Sequence, residues 1–333
     1  MPGYKEVVKS IKEGQIAKLY VFHGEEAYLR EHCLEQLREA VVADASFDYV
    51  RLSGKGLTLT ALTDETESLP FMGKRRLVVA DDFDLTGIPA AERDRWTAFF
   101  ETLPDTCCLV FFYDTLTYKQ DARSKITAAL KSHAVTVEFA PQGDSPLIAW
   151  ITRHFSSRGV AIDRSTCEYM IFRCGRSMTM LRGEIEKTAA YCRESGFVTR
   201  AVLDEVTEPV LEATAFNLTD AVAAGDMKKA ANLLETLQWM REPPEMILGA
   251  LGKTLRGLYV ARLAIDHGKT IKQVMDVCGY RSAYPAEKLM RAAKGVPAER
   301  CRAALLRCRE ADGMLKGEGR ERALEWLLGA LSV

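Results

Sequence analysis

Residues 18–31 read KLYVFHGEEAYLRE. The stretch from Lys18 to His23 is an apolar run of strand length that ends on Gly24. From Glu26 onward Leu29, Cys33, Leu37 and Val41 recur every fourth residue, the interval that places side chains on one face of a helix. Strand, glycine turn and helix near the start of a chain form the usual setting of a phosphate-binding loop. Such a loop reads GxxxxGK[ST]: glycines let backbone N–H groups wrap the phosphates, the lysine reaches the β/γ-phosphates, and the hydroxyl meets Mg²⁺. Counted from Gly24, those last positions fall on Leu29, Arg30 and Glu31, and none has the required chemistry. Glu25 and Glu26 also bring negative charge to the helix N-terminus, which suits the helix dipole and repels a phosphate. The segment holding Gly24, Glu25, Glu26, Leu29, Arg30 and Glu31 is therefore expected to keep the scaffold of a nucleotide site without binding nucleotide.

Working outward, the first 140 residues alternate strand and helix signals. FDYVRLSG (47–54) alternates as a short strand, and LTALTDETESL (59–69) sets Leu59, Leu62, Thr66 and Leu69 on one helical face. RRLVVADDFD (75–84), DTCCLVFFYD (105–114) and AVTVEF (134–139) read as further strands. Strands alternating with helices predict a parallel sheet covered by helices on both faces. The turn-forming stretch APQGDSP (140–146) marks a boundary, beyond which strand signals nearly vanish. In 178–192 Leu181, Ile185, Ala189 and Cys192 keep helical period, and in 321–331 Leu324, Leu327, Leu328 and Leu331 form one stripe. A second break at Thr207–Pro209 completes the expected plan: an α/β domain over 1–140, a small helical domain over 141–209, and a larger helical domain over 210–333.

The chain of 333 residues is 47% hydrophobic and 27% charged, with a formal net charge of −1, so it is not a nucleic-acid magnet as a whole. Its longest apolar runs are far too short to cross a bilayer, and the N-terminus lacks the apolar core of a secretory signal. No membrane contact is expected, and the cytoplasm is the predicted compartment. Nine cysteines form no CxxC pair and read as reduced, buried thiols; five scattered histidines make no metal motif, so no metal and no cofactor are expected. LVVADD (77–82) has the outline of a Mg²⁺-binding strand end, but without a phosphate loop Asp81 and Asp82 read as solvated strand-end residues, as does Asp114. No GxSxG elbow or Cys/His pair suggests a nucleophile, so no catalytic residue is assigned.

One segment breaks a local rule. In ESLPFMGKRRLVV (67–79), Pro70 should end the preceding helix at Leu69, because the residue before a proline is pushed out of α geometry. Phe71 and Met72 then sit on a connection that Gly73, Lys74, Arg75 and Arg76 mark as exposed. Two large apolar residues there are either tucked back onto the domain or offered to a partner. A second local signal is the stretch 280–309, where eight Lys/Arg stand against Glu287 and Glu299, giving 8 − 2 = +6. Lys288, Arg291, Lys294, Arg300 and Arg302 are candidate contacts to DNA or to an acidic subunit, and a solvated charged face explains the same pattern.

These pieces together resemble the delta subunit of the bacterial DNA polymerase III clamp loader. The pieces that carry the resemblance are LYVFHGEEAYLRE (19–31), TLTALTDETESLPFMGKRRLVV (58–79), LRGEIEKTAAYC (181–192), FNLTDAVAAGDMKKAANLLETL (216–237), REPPEMILGALGKTLRGLYVARL (241–263) and EADGMLKGEGRERALEWLLGAL (310–331), in the family's order. The resemblance implies an AAA+-like domain without a working ATP site, then a helical lid and a helical collar. It implies partners too: the beta sliding clamp, the ATP-hydrolysing gamma/tau subunits and delta-prime in a five-subunit ring, and primer-template DNA through the assembled complex. Such a chain is a non-catalytic subunit of a DNA-directed DNA polymerase holoenzyme. The family's clamp contact falls here on Leu69, Pro70, Phe71 and Met72, with Met72 where another apolar or aromatic residue is usual; that selects the exposed reading of the loop. The rival readings are a P-loop ATPase with an unusual loop, a delta-prime-like ring scaffold and a DNA-binding adaptor. The zinc-binding cysteine cluster and serine-arginine-cysteine motif of delta-prime are absent from the sequence.

Overall fold

The structure, a computed structural model, describes residues 3–332. Helix α1 (Tyr4–Lys12) leads into β1 (Leu19–His23), α2 (Ala27–Val41), α3 (Ala45–Asp48), β2 (Tyr49–Ser53), α4 (Leu59–Glu67), β3 (Arg76–Asp81), α5 (Arg93–Thr102), β4 (Cys107–Phe112), α6 (Lys125–His133) and β5 (Val135–Glu138). The five strands pair in parallel in the order β2-β3-β4-β1-β5. In this register Val21 faces Phe111 on one side and Thr136 on the other, while Val78 faces Leu109. Parallel strands buried on both faces read as continuous apolar runs, and all six residues of β4 are buried.

Alternate strand residues feed two layers. Leu19, Val21, Val78, Ala80, Leu109 and Phe111 pack with Leu62 of α4, Trp96, Phe99 and Phe100 of α5, and Ile126 and Leu130 of α6. On α2 the four residues at intervals of four, Leu29, Cys33, Leu37 and Val41, are all buried. Two local expectations are corrected. Residues 47 and 48 belong to the short helix α3, not to a strand, because Asp44 caps it through the Ser46 N–H at 2.8 Å. Helix α4 stops at Glu67, two residues before Leu69: Ser68 is already extended, and its hydroxyl donates to the Asp64 carbonyl at 2.8 Å. Helix α1 adds an amphipathic element, with Val7 and Ile11 buried, ahead of β1.

The chain divides between Gln142 and Gly143, within the turn-rich stretch 140–146. The second unit runs α7 (Asp144–Ser156), β6 (Ala161–Ile162), α8 (Arg164–Cys174), α9 (Met178–Tyr191), β7 (Phe197–Val198), α10 (Arg200–Val206), α11 (Leu211–Ala223), α12 (Met227–Trp239), α13 (Pro244–Asp266), α14 (Ile271–Cys278), α15 (Ala283–Ala293), α16 (Ala298–Leu315) and α17 (Ala323–Leu331). It is mostly helical, as expected, but not wholly. Strands β6 and β7 pair in parallel over two residues each, too short to leave a periodic signal. Side-chain caps start many of the helices, as at Asp163, Ser177, Thr199, Asp226 and Thr270. No helix among the described residues is long and apolar enough to cross a membrane.

Candidate functional site

The carboxyl ends of β1, β3 and β4 bring together the residues that a nucleotide-handling chain would use. Gly24 has φ +123°, and a Cβ there would lie 2.5 Å from the Phe139 carbonyl oxygen. The glycine is thus required by the close approach of the β1–α2 turn to the chain leaving β5. That approach is pinned from both sides: the Phe139 N–H donates to the His23 carbonyl at 2.7 Å, and the Glu26 N–H to the Phe139 carbonyl at 2.8 Å. Glu26 is buried and Glu25 exposed at the start of α2, with Leu29 in the core and Glu31 in solvent. Burial raises the Glu26 carboxyl above its ordinary range, against the opposing pull of the Tyr28 N–H and of Arg30.

Arg30, where a phosphate loop would carry lysine, is 2% exposed. Its guanidinium donates inward to the Gly24 carbonyl and to the Asp114 carboxylate, and lies 5.1 Å from the Phe112 ring centroid. The cation is turned onto the protein, away from any ligand. The acids also differ from the solvated residues expected. Asp81 takes the Arg51 guanidinium at 2.6 Å, and Arg51 lies 5.0 Å from the centroid of that same Phe112 ring. Asp82 stands at φ +50° and accepts from the N–H groups of Asp114, Thr115 and Leu116 at 2.9–3.1 Å and from the Thr115 hydroxyl at 2.6 Å. Burial opposes the charge of Asp82, but those donors together hold its carboxyl below the usual range. These carboxylates are clips between strand ends. Among the described residues no cluster of three or more His, Cys, Asp or Glu could hold a metal.

The loop after α4 has the opposite character. Leu69, Phe71 and Met72 are 76%, 68% and 71% exposed, and Pro70 is half-buried. Beneath them the buried Asp48 carboxylate accepts three successive backbone N–H groups, from Phe71 at 2.6 Å and from Met72 and Gly73 at 3.2 Å. The Phe71 N–H and then the other two hold the Asp48 carboxyl below its ordinary range, against the effect of burial. The Phe47 ring, 53% exposed, packs against Phe71 with centroids 4.7 Å apart and the ring planes tilted by 32°. Arg75 donates to the Ile16 carbonyl at 2.8 Å and Arg76 to Glu65 at 2.6 Å, tying the far end of the loop to the domain.

Two family models match the chain: "DNA polymerase III, delta subunit" over residues 20–140, and "DNA polymerase III delta subunit, C-terminal domain" over 212–330. The chain belongs to the DNA polymerase III delta subunit family. The Bacillus subtilis (strain 168) DNA polymerase III subunit delta is 23% identical over 276 residues, covering 81% of this chain and 79% of that one. An Aquifex aeolicus (strain VF5) protein described as a probable DNA polymerase III subunit delta is 22% identical, covering 80% and 77%. The solved structure of a Bacillus subtilis DNA clamp loader delta protein superposes with a TM-score of 0.56 at 20% identity, over 99% of both chains, so the fold is shared. The chain thus combines a parallel five-stranded sheet with a mostly helical remainder in the same fold as that clamp loader delta protein.

Within this delta-family chain, both the degenerate loop and residues 69–72 lie in the first matched span, and the basic stretch lies in the second. The structure removes one member from that stretch. Lys288 donates to Asp220 at 2.8 Å and Asn217 at 2.6 Å, and its ammonium lies 5.3 and 5.5 Å from the Phe172 and Phe216 rings. It is an internal tie joining α15 to α11 rather than a free cation, whereas Arg291, Lys294, Arg300 and Arg302 are exposed. Sequence reasoning missed Phe47, Asp48 and the role of Asp82. An Asx cap at Asp44 signals α3, but nothing local in the sequence links Asp48 to a loop 23 residues away.

Proposed function

We propose that this chain is the subunit of a clamp loader that binds the beta sliding clamp and holds one of its interfaces open for loading on primed DNA. Leu69, Pro70, Phe71 and Met72 are the clamp contact, and one observation carries this reading: a delta-family chain displays three large apolar side chains in solvent on a loop whose backbone is fixed from below. Mobile apolar residues would fold back; these are held out. Burying Phe71 in a partner pocket contributes about 1.5–3 kcal/mol by transfer, enough for a hot spot. Opening needs no bond chemistry from this chain. It follows if the chain binds the open clamp better than the closed one, since a ligand shifts an equilibrium only by its differential affinity.

The nucleotide-site remnant supports a non-catalytic role, with ATP hydrolysis left to the gamma/tau subunits. Residues 1–140 serve as the AAA+-like domain, 141–209 as the lid, and 210–333 as the collar that meets gamma/tau and delta-prime in the ring. Primer-template DNA is met through the assembled complex in the cytoplasm, and Arg291, Lys294, Arg300 and Arg302 are the residues of this chain placed to face DNA or a subunit. The test is a binding titration against the cognate clamp with the natural chain and Phe71→Ala. A loss of about 2 kcal/mol or more in the variant is expected. Equal binding by both would move the contact elsewhere, and no binding by either would favour the ring-scaffold or DNA-adaptor roles.

A further inference from the structure

Resting on the reading of residues 69–72 as the clamp contact, we propose that the short helix α3 presents that contact, with Asp48 as its positioning residue and Phe47 as a further residue buried by the clamp. Three consecutive N–H groups, those of Phe71, Met72 and Gly73, converge on the one buried carboxylate of Asp48. A backbone whose donors all point inward is concave toward α3, and Leu69, Phe71 and Met72 are left on the outside. Among the described residues no cation is bonded to Asp48. Arg76, whose charge also favours the Asp48 carboxylate, is paired with Glu65, so the loop's own amides are what satisfy the carboxylate. Removing it leaves those amides without a partner in a half-buried turn. The turn also fits closely: a Cβ on Gly73 would meet the Ala43 Cβ at 3.3 Å and the Asp48 Oδ2 at 3.4 Å.

Phe47 follows from the same geometry. It is the residue before Asp48, so the carboxylate that fixes the loop also fixes which ring stands beside Phe71. The two rings touch, yet each remains more than half exposed, so their mutual contact does not account for the apolar surface they display. Phe47, Leu69, Phe71 and Met72 together form one apolar surface drawn from two segments, which a pocket able to take Phe71 would cover in part.

The experiment compares Phe47→Ala, Asp48→Ala, Asp48→Asn and Phe71→Ala in titrations against the cognate clamp, with amide hydrogen exchange on each free chain. Phe47→Ala and Asp48→Ala should each weaken binding roughly tenfold. In Asp48→Ala the Phe71, Met72 and Gly73 amides should exchange at least roughly tenfold faster while β3 and β4 amides keep their protection, which separates a loosened loop from an unfolded domain. Asp48→Asn retains one acceptor oxygen and should fall between, giving a variant that still reads out if the alanine fails to fold. The Asp48→Ala effect should vanish in a Phe71→Ala background, because it acts through the loop. If Phe71→Ala weakens binding while the Phe47 and Asp48 variants do not, the inference is wrong and the clamp contact stands. If Phe71→Ala binds like the natural chain, the clamp contact and the inference fall together.

Discussion

Gly24 gives the sharpest test of why a nucleotide-site scaffold persists here. If it survives only as a relic of phosphate binding, replacing it in a chain expected to bind no nucleotide costs little. The structure says otherwise. At φ +123° an alanine would sit in backbone space reached readily only by glycine, worth about 1–3 kcal/mol of strain. Its Cβ would also fall 2.5 Å from the Phe139 oxygen and 2.7 Å from the Phe139 nitrogen, well inside van der Waals contact. Relief requires the turn to pull away from β5, loosening the two hydrogen bonds made by Phe139, each worth about 1 kcal/mol net. The sum is about 3–5 kcal/mol for Gly24→Ala. Urea unfolding followed by hydrogen exchange at β1 and β5 amides reports the first unit separately, and the loss should appear there without any ligand present. A change below about 0.5 kcal/mol, the level of an ordinary surface substitution, would refute the packing account of this glycine.

Arg30→Ala should destabilise the first unit by about 1–3 kcal/mol, less than for a fully buried pair because Asp114 stays half in water, and millimolar Mg-ATP should leave the thermal midpoint of either chain unchanged. Lys288→Met keeps the apolar stem between Phe172 and Phe216 but strands Asp220, whose carboxyl burial already raises above its ordinary range. A carboxyl whose pKa is raised on folding costs stability that sets in above its unfolded pKa, is full above its folded pKa, and is absent below both. The loss, about 1–3 kcal/mol, should therefore be larger at neutral pH than in mild acid, as urea midpoints at two pH values will show. Of the nine thiols only Cys278 is not buried, and burial pushes Cys33 and Cys107 up to about 12. A thiol reagent on the native chain should modify Cys278 first, with the others reacting only on unfolding, as mass spectrometry will reveal.

What could be read from the sequence was what repeats or punctuates. The α2 stripe and the apolar β4 run carry their periods openly, so the sheet and its cover were legible. Pro70 announced a break, although helix α4 stops earlier, because the Ser68 hydroxyl bonds back to the Asp64 carbonyl. What could not be read was every pairing made across sequence distance. Asp82 looks like any strand-end acid until the turn after β4 closes on it 32–34 residues later. Asp48 shows only as a polar residue in a segment that alternates like a strand. Lys288 counts as surface charge in any sum over 280–309, and its partner Asp220 lies on another helix. A charge tally registers sign and not direction, so it cannot tell a tie from a free cation.

Arg30, Asp81 and Asp82, at the positions where a nucleotide switch would hold phosphate and metal, have been turned to one structural purpose. Arg30 ties the β1 turn to Asp114 at the end of β4, Asp82 ties the end of β3 to that same turn after β4, and Arg51 ties β2 to Asp81 on β3. In a working site the corresponding groups hold phosphate and metal, so their arrangement changes when the nucleotide changes. Here most of their polar atoms are taken up by the protein itself, while Arg30 Nε and Asp81 Oδ1 stay buried without a hydrogen-bond partner among the described residues. A group already paired has no differential interaction to offer a ligand, and without differential interaction a ligand moves no equilibrium. On the proposed reading these pairs hold the strand ends of the first unit, and the loop at residues 69–72 rests on that frame. On that reading, control over when the loop is available acts from outside this unit, by covering it or uncovering it.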